Sequence, residues 1–213
     1  MQYWCIFCSQ LPERLDTVKK EFAKHELHVN FWQSIHAASF GISAGTFGPT
    51  DLIGGYHSTS KGYIGLMIGF WTLWQHLLLI DHPGPFLIFE DDVLLEENFK
   101  KRIEHFFSKL PADWQILLVG SPWGGDGGDA TNIKGEVRDI GDGNCWGTHA
   151  ILFRKSALRF LLDANHRCEM PIDAQLNKTS YRQMKTYALT PSLAMQRSCL
   201  RSDDPRFTPC SCG

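Results

Sequence analysis

Glu90-Asp91-Asp92 sets three carboxylates side by side at the end of the apolar run Phe86-Leu87-Ile88-Phe89, with Val93-Leu94-Leu95 following. An apolar stretch of this length, preceded by Pro83-Gly84-Pro85, predicts a short strand covered on both faces of a parallel sheet. Adjacent acids at its carboxyl end repel one another, and burying them unpaired is costly. A divalent cation relieves that cost, since hard oxygen ligands suit Mg²⁺ or Mn²⁺. The crevice outside such strand ends is also where open α/β sheets bind ligands. The same pattern fits an acidic first turn of a following helix, favoured by the helix dipole.

Elements that would hold these acids follow from periodicity. Residues 3–8 predict a first strand. Leu11, Leu15, Val18 and Phe22 then recur at helical spacing behind Pro12. The turn between them has no Gly-rich phosphate fingerprint, which argues against a dinucleotide site. Residues 29–35 predict a second strand. The Gly-, Ser- and Thr-rich residues 39–60 predict a long loop, a candidate lid. Residues 62–80 are uncharged and apolar on nearly all sides, so they predict a helix covered all round. Thr72, Gln75 and His76 within them argue against a membrane span.

After the acids, Phe99, Ile103, Phe106, Phe107 and Leu110 predict a helix over 98–110, and residues 115–119 a buried strand. Residues 120–143 are rich in Gly and Asp and predict a loop: a cleft cover, or surface chain in which Asp126, Asp129, Asp139 and Asp142 are solvated. A strand over 146–153, a helix over 156–162, a short element beginning at Pro171-Ile172-Asp173 and a last strand within 186–195 complete the pattern. Alternating strands and helices predict a single α/β domain over residues 1–197. Its mainly parallel central sheet is flanked by helices, and residues 198–213 form an irregular tail.

A chain of 213 residues with net charge −2 and no basic run gives no case for nucleic acid as a partner. Seven cysteines without framework spacing, and Met1-Gln2-Tyr3-Trp4 without a basic leader, predict reduced thiols in the cytoplasm, at most peripheral to a membrane. Cys5 and Cys8, with Cys210 and Cys212, suggest a zinc site. However, residues three apart on a strand face opposite sides, which argues against it.

Four segments in register resemble glycosyltransferase family 25, the lipopolysaccharide and collagen galactosyltransferases of GT-A fold. These are residues 6–14, with their Pro-acid-Arg ending; Gly62-Tyr63-Ile64-Gly65 through Trp74; residues 86–93; and Trp146-Gly147-Thr148-His149-Ala150 with Pro171-Ile172-Asp173 and Tyr187-Ala188-Leu189-Thr190-Pro191. The likeness runs from about residue 3 to 197. Phe7-Cys8 stand where the family has Asn-Leu, Tyr63 where it has Glu, and Gly69-Phe70 where it has Ser-His. These departures leave the acidic motif intact.

The resemblance implies a metal-dependent, inverting hexosyltransferase. It would take a nucleotide-sugar donor, expected to be a UDP-hexose, and a glycan or other hydroxyl acceptor, with Mn²⁺ or Mg²⁺ as cofactor. It implies Asp92 as direct metal ligand, Glu90 as ligand directly or through water, and Asp91 at the ribose or in a structural role. Ser9, Arg14, Lys61, Trp146 and His149 are implied at the donor, and Asp173 as general base. Two other readings stay open: a GT-A-like binder of glycans or nucleotides without turnover, and a metal-dependent nucleotidyltransferase.

Overall fold

The computed structural model describes residues 1–36, 61–120, 136–140 and 145–197. The strands and helices alternate as β1 Gln2–Cys8, α1 Pro12–Lys24, β2 Val29–Ser34, α2 Lys61–Leu79, β3 Phe86–Glu90, β4 Val93–Leu95, α3 Phe99–Phe107 and β5 Ile116–Gly120. Then follow β6 Glu136–Asp139, β7 Ala150–Phe153, α4 Lys155–Ala164, α5 Ile172–Leu176, a π-helical turn Asn177–Tyr181, β8 Thr186–Thr190 and β9 Ala194–Gln196.

Among the described residues seven strands form one sheet in the order β2-β1-β3-β7-β5-β8-β6, and β4 pairs with β9 apart from it. The predicted α/β sheet flanked by helices is present. β1 runs parallel to both β2 and β3, and β8 parallel to β5. β7 runs antiparallel to both of its neighbours, and β6 antiparallel to β8. The direction of β7 matters for the site. Pairing Phe89 with Ala150 sets the residues that lead into β7 beside the end of β3.

Strand alternation explains the three layers. Phe86 and Ile88 of β3 enter one core with Trp4, Ile6, Leu118 and Ile151, covered by Phe70, Leu73, Trp74 and Leu77 of α2 and by Leu158 and Leu161 of α4. Leu87 and Phe89 face the opposite way. They pack with Cys5, Leu117 and Leu152 under Val18 and Phe22 of α1 and Phe99, Ile103 and Phe106 of α3. Because β3 is buried on both faces, its register is fixed, and so is the position of the acids at its end.

Several expectations are corrected. α2 is not covered all round: its buried stripe runs from Ile64 to Leu77, whereas Tyr63 is 43% and Leu79 85% exposed. No helix among the described residues is long and apolar enough to cross a membrane. Residues 136–139, expected within a loop, form an edge strand against β8. The strand expected within 186–195 is β8, and a further short strand, β9, follows beyond Pro191, which has no N–H to donate and ends β8. β9 then turns back onto β4. Residues 39–60, most of 120–143, Cys210, Cys212 and the tail lie outside the described residues.

Candidate active site

A cavity of about 350 Å³ opens at the carboxyl ends of β2, β1 and β3. Its walls are Cys8, Leu11 and Arg14 from β1 and the start of α1, Ser34 and His36 from the end of β2, Gly62, Tyr63 and Gly65 from the first turns of α2, Gln196 of β9, and all three acids. The volume lies within the range of small-ligand sites. Two contacts bring the walls together. Ser34 Oγ donates to the carbonyl of Gly65 at 2.5 Å, tying β2 to α2. In addition, Gly69 lets α2 lie close to the sheet, since a Cβ there would stand 2.8 Å from Ile6 Cγ2 and 2.9 Å from Ser34 Oγ.

The acids are held by partners distant in sequence. Arg14 reaches Asp91 Oδ1 at 2.5 Å and Asp92 Oδ2 at 2.8 Å. The backbone N–H of Cys8 donates to Asp91 Oδ2 at 3.2 Å, and Gln196 Nε2 donates to Asp92 Oδ2 at 3.0 Å. The second of these exists because β4 pairs with β9, and Arg197 N–H on the carbonyl of Asp92 at 2.9 Å extends that ladder. Thr148 Oγ1 donates to Glu90 Oε1 at 2.5 Å. Burial, then the Asp92 charge, pushes the Glu90 carboxyl up to about 8. Burial also raises Asp91, although Arg14 and the Cys8 amide pull it back.

Whether these residues fit a divalent cation turns on the oxygens left over. Among the described residues no three His, Cys, Asp or Glu side chains form a preformed cation cage. Asp92 Oδ1, however, is buried and has no hydrogen-bond partner among the described residues. Three acids against one guanidinium also leave excess negative charge. Mg²⁺-like ions are commonly held by one or two carboxylates plus substrate phosphates. The oxygen left over on Asp92 is compatible with a cation of that kind.

The remaining predicted residues fall in three places. Ser9 is exposed outside the cavity wall, with its Oγ accepting from Gln33 Nε2 at 3.0 Å. Lys61 opens α2, and its side chain lies outside the described residues. Trp146 and His149 belong to a strap, residues 145–149, that runs into β7, and Asp173 lies on α5 against it; all three lie off the cavity wall. Trp146 is 41% exposed. His149 is buried and packs against neighbouring elements. Its ring fits against Gly120, its Nε2 lies 3.3 Å from the carbonyl of Ala194, and its own carbonyl accepts from Glu90 N–H at 3.2 Å. Asp173 Oδ2 accepts from Gly147 N–H at 3.4 Å and Oδ1 from Ala174 N–H at 2.8 Å. Asn177 clamps both backbone groups of Cys145.

Sequence reading missed Thr148, Gln196 and Tyr63 as parts of the site. Thr148 stood in plain view beside His149, but its partner lies 58 positions away.

A model of glycosyltransferase family 25 (LPS biosynthesis protein) matches residues 6–123, more than half of the chain. The curated relatives include the probable inactive glycosyltransferase 25 family member 3 of Bos taurus, 28% identical over 79 residues, which are 33% of this chain and 13% of that protein. A putative glycosyltransferase of Acanthamoeba polyphaga mimivirus is 27% identical over 81 residues, 38% of this chain and 24% of that protein. The match thus spans less than a quarter of either relative. Among solved structures, a glycosyltransferase involved in the glycosylation of the major capsid of PBCV-1 superposes with a TM-score of 0.50 at 11% identity. It covers 94% of this chain and 96% of its own, and shows a shared fold.

Proposed function

The chain belongs to glycosyltransferase family 25, and from that premise we propose that it moves a hexose from a nucleoside-diphosphate sugar to a hydroxyl of a glycan or similar acceptor, with inversion. The observation that carries this reading is Asp92 Oδ1, a buried oxygen without a partner among the described residues, at the edge of a ligand-sized cavity. Asp92 and Glu90 would hold Mn²⁺ or Mg²⁺, which as a Lewis acid offsets the charge of the departing diphosphate. Arg14 fixes the two Asp carboxylates at the cavity wall, and Tyr63 offers its ring to the donor. Asp173 takes the proton of the acceptor hydroxyl as that oxygen bonds to the anomeric carbon and the bond to the diphosphate breaks. The amides of Gly147 and Ala174 orient its carboxylate. Free thiols at Cys5, Cys8 and Cys168 suit a cytoplasmic setting.

The test is Mn²⁺-dependent turnover of a panel of UDP- and GDP-hexoses, with Asp92→Ala beside the wild type. Release of nucleoside diphosphate that Asp92→Ala abolishes is the expected result. Full activity in that variant overturns the metal assignment, and release of pyrophosphate makes the protein a nucleotidyltransferase. A second reading, binding of nucleotide or glycan without turnover, is favoured by the Arg14 ion pairs on Asp91 and Asp92 and by relatives named inactive. Saturable binding with no turnover of any donor would establish it.

A further inference from the structure

We propose that Arg14 acts as a resident counter-cation that keeps free divalent ions out of the site, so that Mn²⁺ or Mg²⁺ is retained only together with the diphosphate of the donor. This deepens the donor reading above and rests on it. Of the six carboxylate oxygens on Glu90, Asp91 and Asp92, four have protein partners. Arg14 holds one oxygen on each Asp, the Cys8 amide takes the second Asp91 oxygen, and Thr148 takes Glu90 Oε1. Asp92 cannot chelate with both oxygens while Arg14 and Gln196 share Oδ2.

A six-coordinate ion arriving alone therefore meets Asp92 Oδ1 and at most one oxygen of Glu90. Most of its shell stays water, and the guanidinium stands about one hydrogen bond away and repels it. An ion already carrying two phosphate oxygens lacks only the ligands the site can give. Its coordinated anion also offsets the repulsion from Arg14. The metal and the nucleotide consequently bind with positive coupling, and linkage requires each to strengthen the other by the same factor.

Calorimetric titration and Mn²⁺ electron paramagnetic resonance, on the full chain, read this directly. Wild type should bind Mn²⁺ weakly alone and at least about tenfold more tightly with UDP present, and UDP affinity should rise equally with Mn²⁺. Arg14→Gln should bind Mn²⁺ alone about tenfold to a hundredfold more tightly than wild type, the scale of one charge-assisted hydrogen bond. Asp91 is only 8% exposed, so losing Arg14 threatens folding. Arg14→Lys keeps the charge without the fork and should show a smaller gain, with circular dichroism confirming the fold. If neither variant gains Mn²⁺ affinity, or if wild type binds UDP and yet holds Mn²⁺ alone as tightly as with it, the proposal is overturned. If UDP and GDP bind none of these proteins, with or without Mn²⁺, while Arg14→Lys gains Mn²⁺, the donor reading falls and the role of Arg14 in excluding free ions stands.

Discussion

On the β2-β1-β3 side of the sheet Asp91 and Asp92 share a side-chain cation, Arg14, whereas on the β7 side the carboxylate of Asp173 is held, among the described residues, by backbone amides. A guanidinium on a flexible stem can exchange partners when a stronger cation arrives. An amide anchored in a helix and a strap cannot. The first arrangement suits a group that must adjust to a bound diphosphate. The second suits a group whose position relative to the sheet must not change. The strap joins the two, since Gly147 touches Asp173 while its neighbour Thr148 touches Glu90.

The sharpest way to break this contrast is Asp173→Asn. The amide retains a carbonyl for Gly147 N–H and cannot take a proton, so turnover should fall about 10²- to 10⁴-fold, the usual share of a general base. Donor affinity, measured by calorimetry, should not change. Full turnover would reduce Asp173 to an acid that only anchors the strap.

Thr148→Val comes next. Removing the hydroxyl frees Glu90 Oε1 while nearly keeping side-chain shape. Mn²⁺ affinity in the presence of UDP should drop about 10- to 100-fold, as when an outer-shell partner is lost, and Thr148→Ser should restore it. An unchanged affinity would mean that Glu90 is no ligand.

How far the sequence revealed this arrangement differs between the same two regions. The apolar run ending in Glu90, the α1 stripe of Val18 and Phe22, and the buried strand 116–119 were legible because each is a local burial pattern. Periodicity does not report a strand's direction or its partner. For that reason the antiparallel β7, the edge strand β6 and the pairing of β4 with β9 could not be read, although each is made of ordinary strand residues. The Arg14 ion pairs span 77 and 78 positions and left no local signal. Arg14 was therefore expected at the donor and not on the acids. The family match itself ends at residue 123, before the strap begins.

The smallest effects come from two glycines, one on each side of the sheet, and they test whether the strap side is the stiffer. At Gly120 a Cβ would stand 2.5 Å from His149 Nε2, 2.6 Å from Cδ2 and 2.8 Å from the carbonyl of Ala194. A buried ring and a backbone oxygen cannot both retreat, so Gly120→Ala should destabilise by about 1–3 kcal/mol in urea unfolding, as overpacked cores do. It should also weaken Mn²⁺ binding with UDP, because the carbonyl of His149 holds the amide of Glu90. At Gly69 the close atoms are the ends of the Ile6 and Ser34 side chains. Overpacking there is offset by up to about 1 kcal/mol of helix propensity gained on replacing Gly within α2. Gly69→Ala should therefore cost less than Gly120→Ala. If Gly69→Ala proves the more damaging, the rigid side of the cleft is the one that carries Arg14, and the contrast between an exchangeable cluster and a fixed carboxylate is reversed.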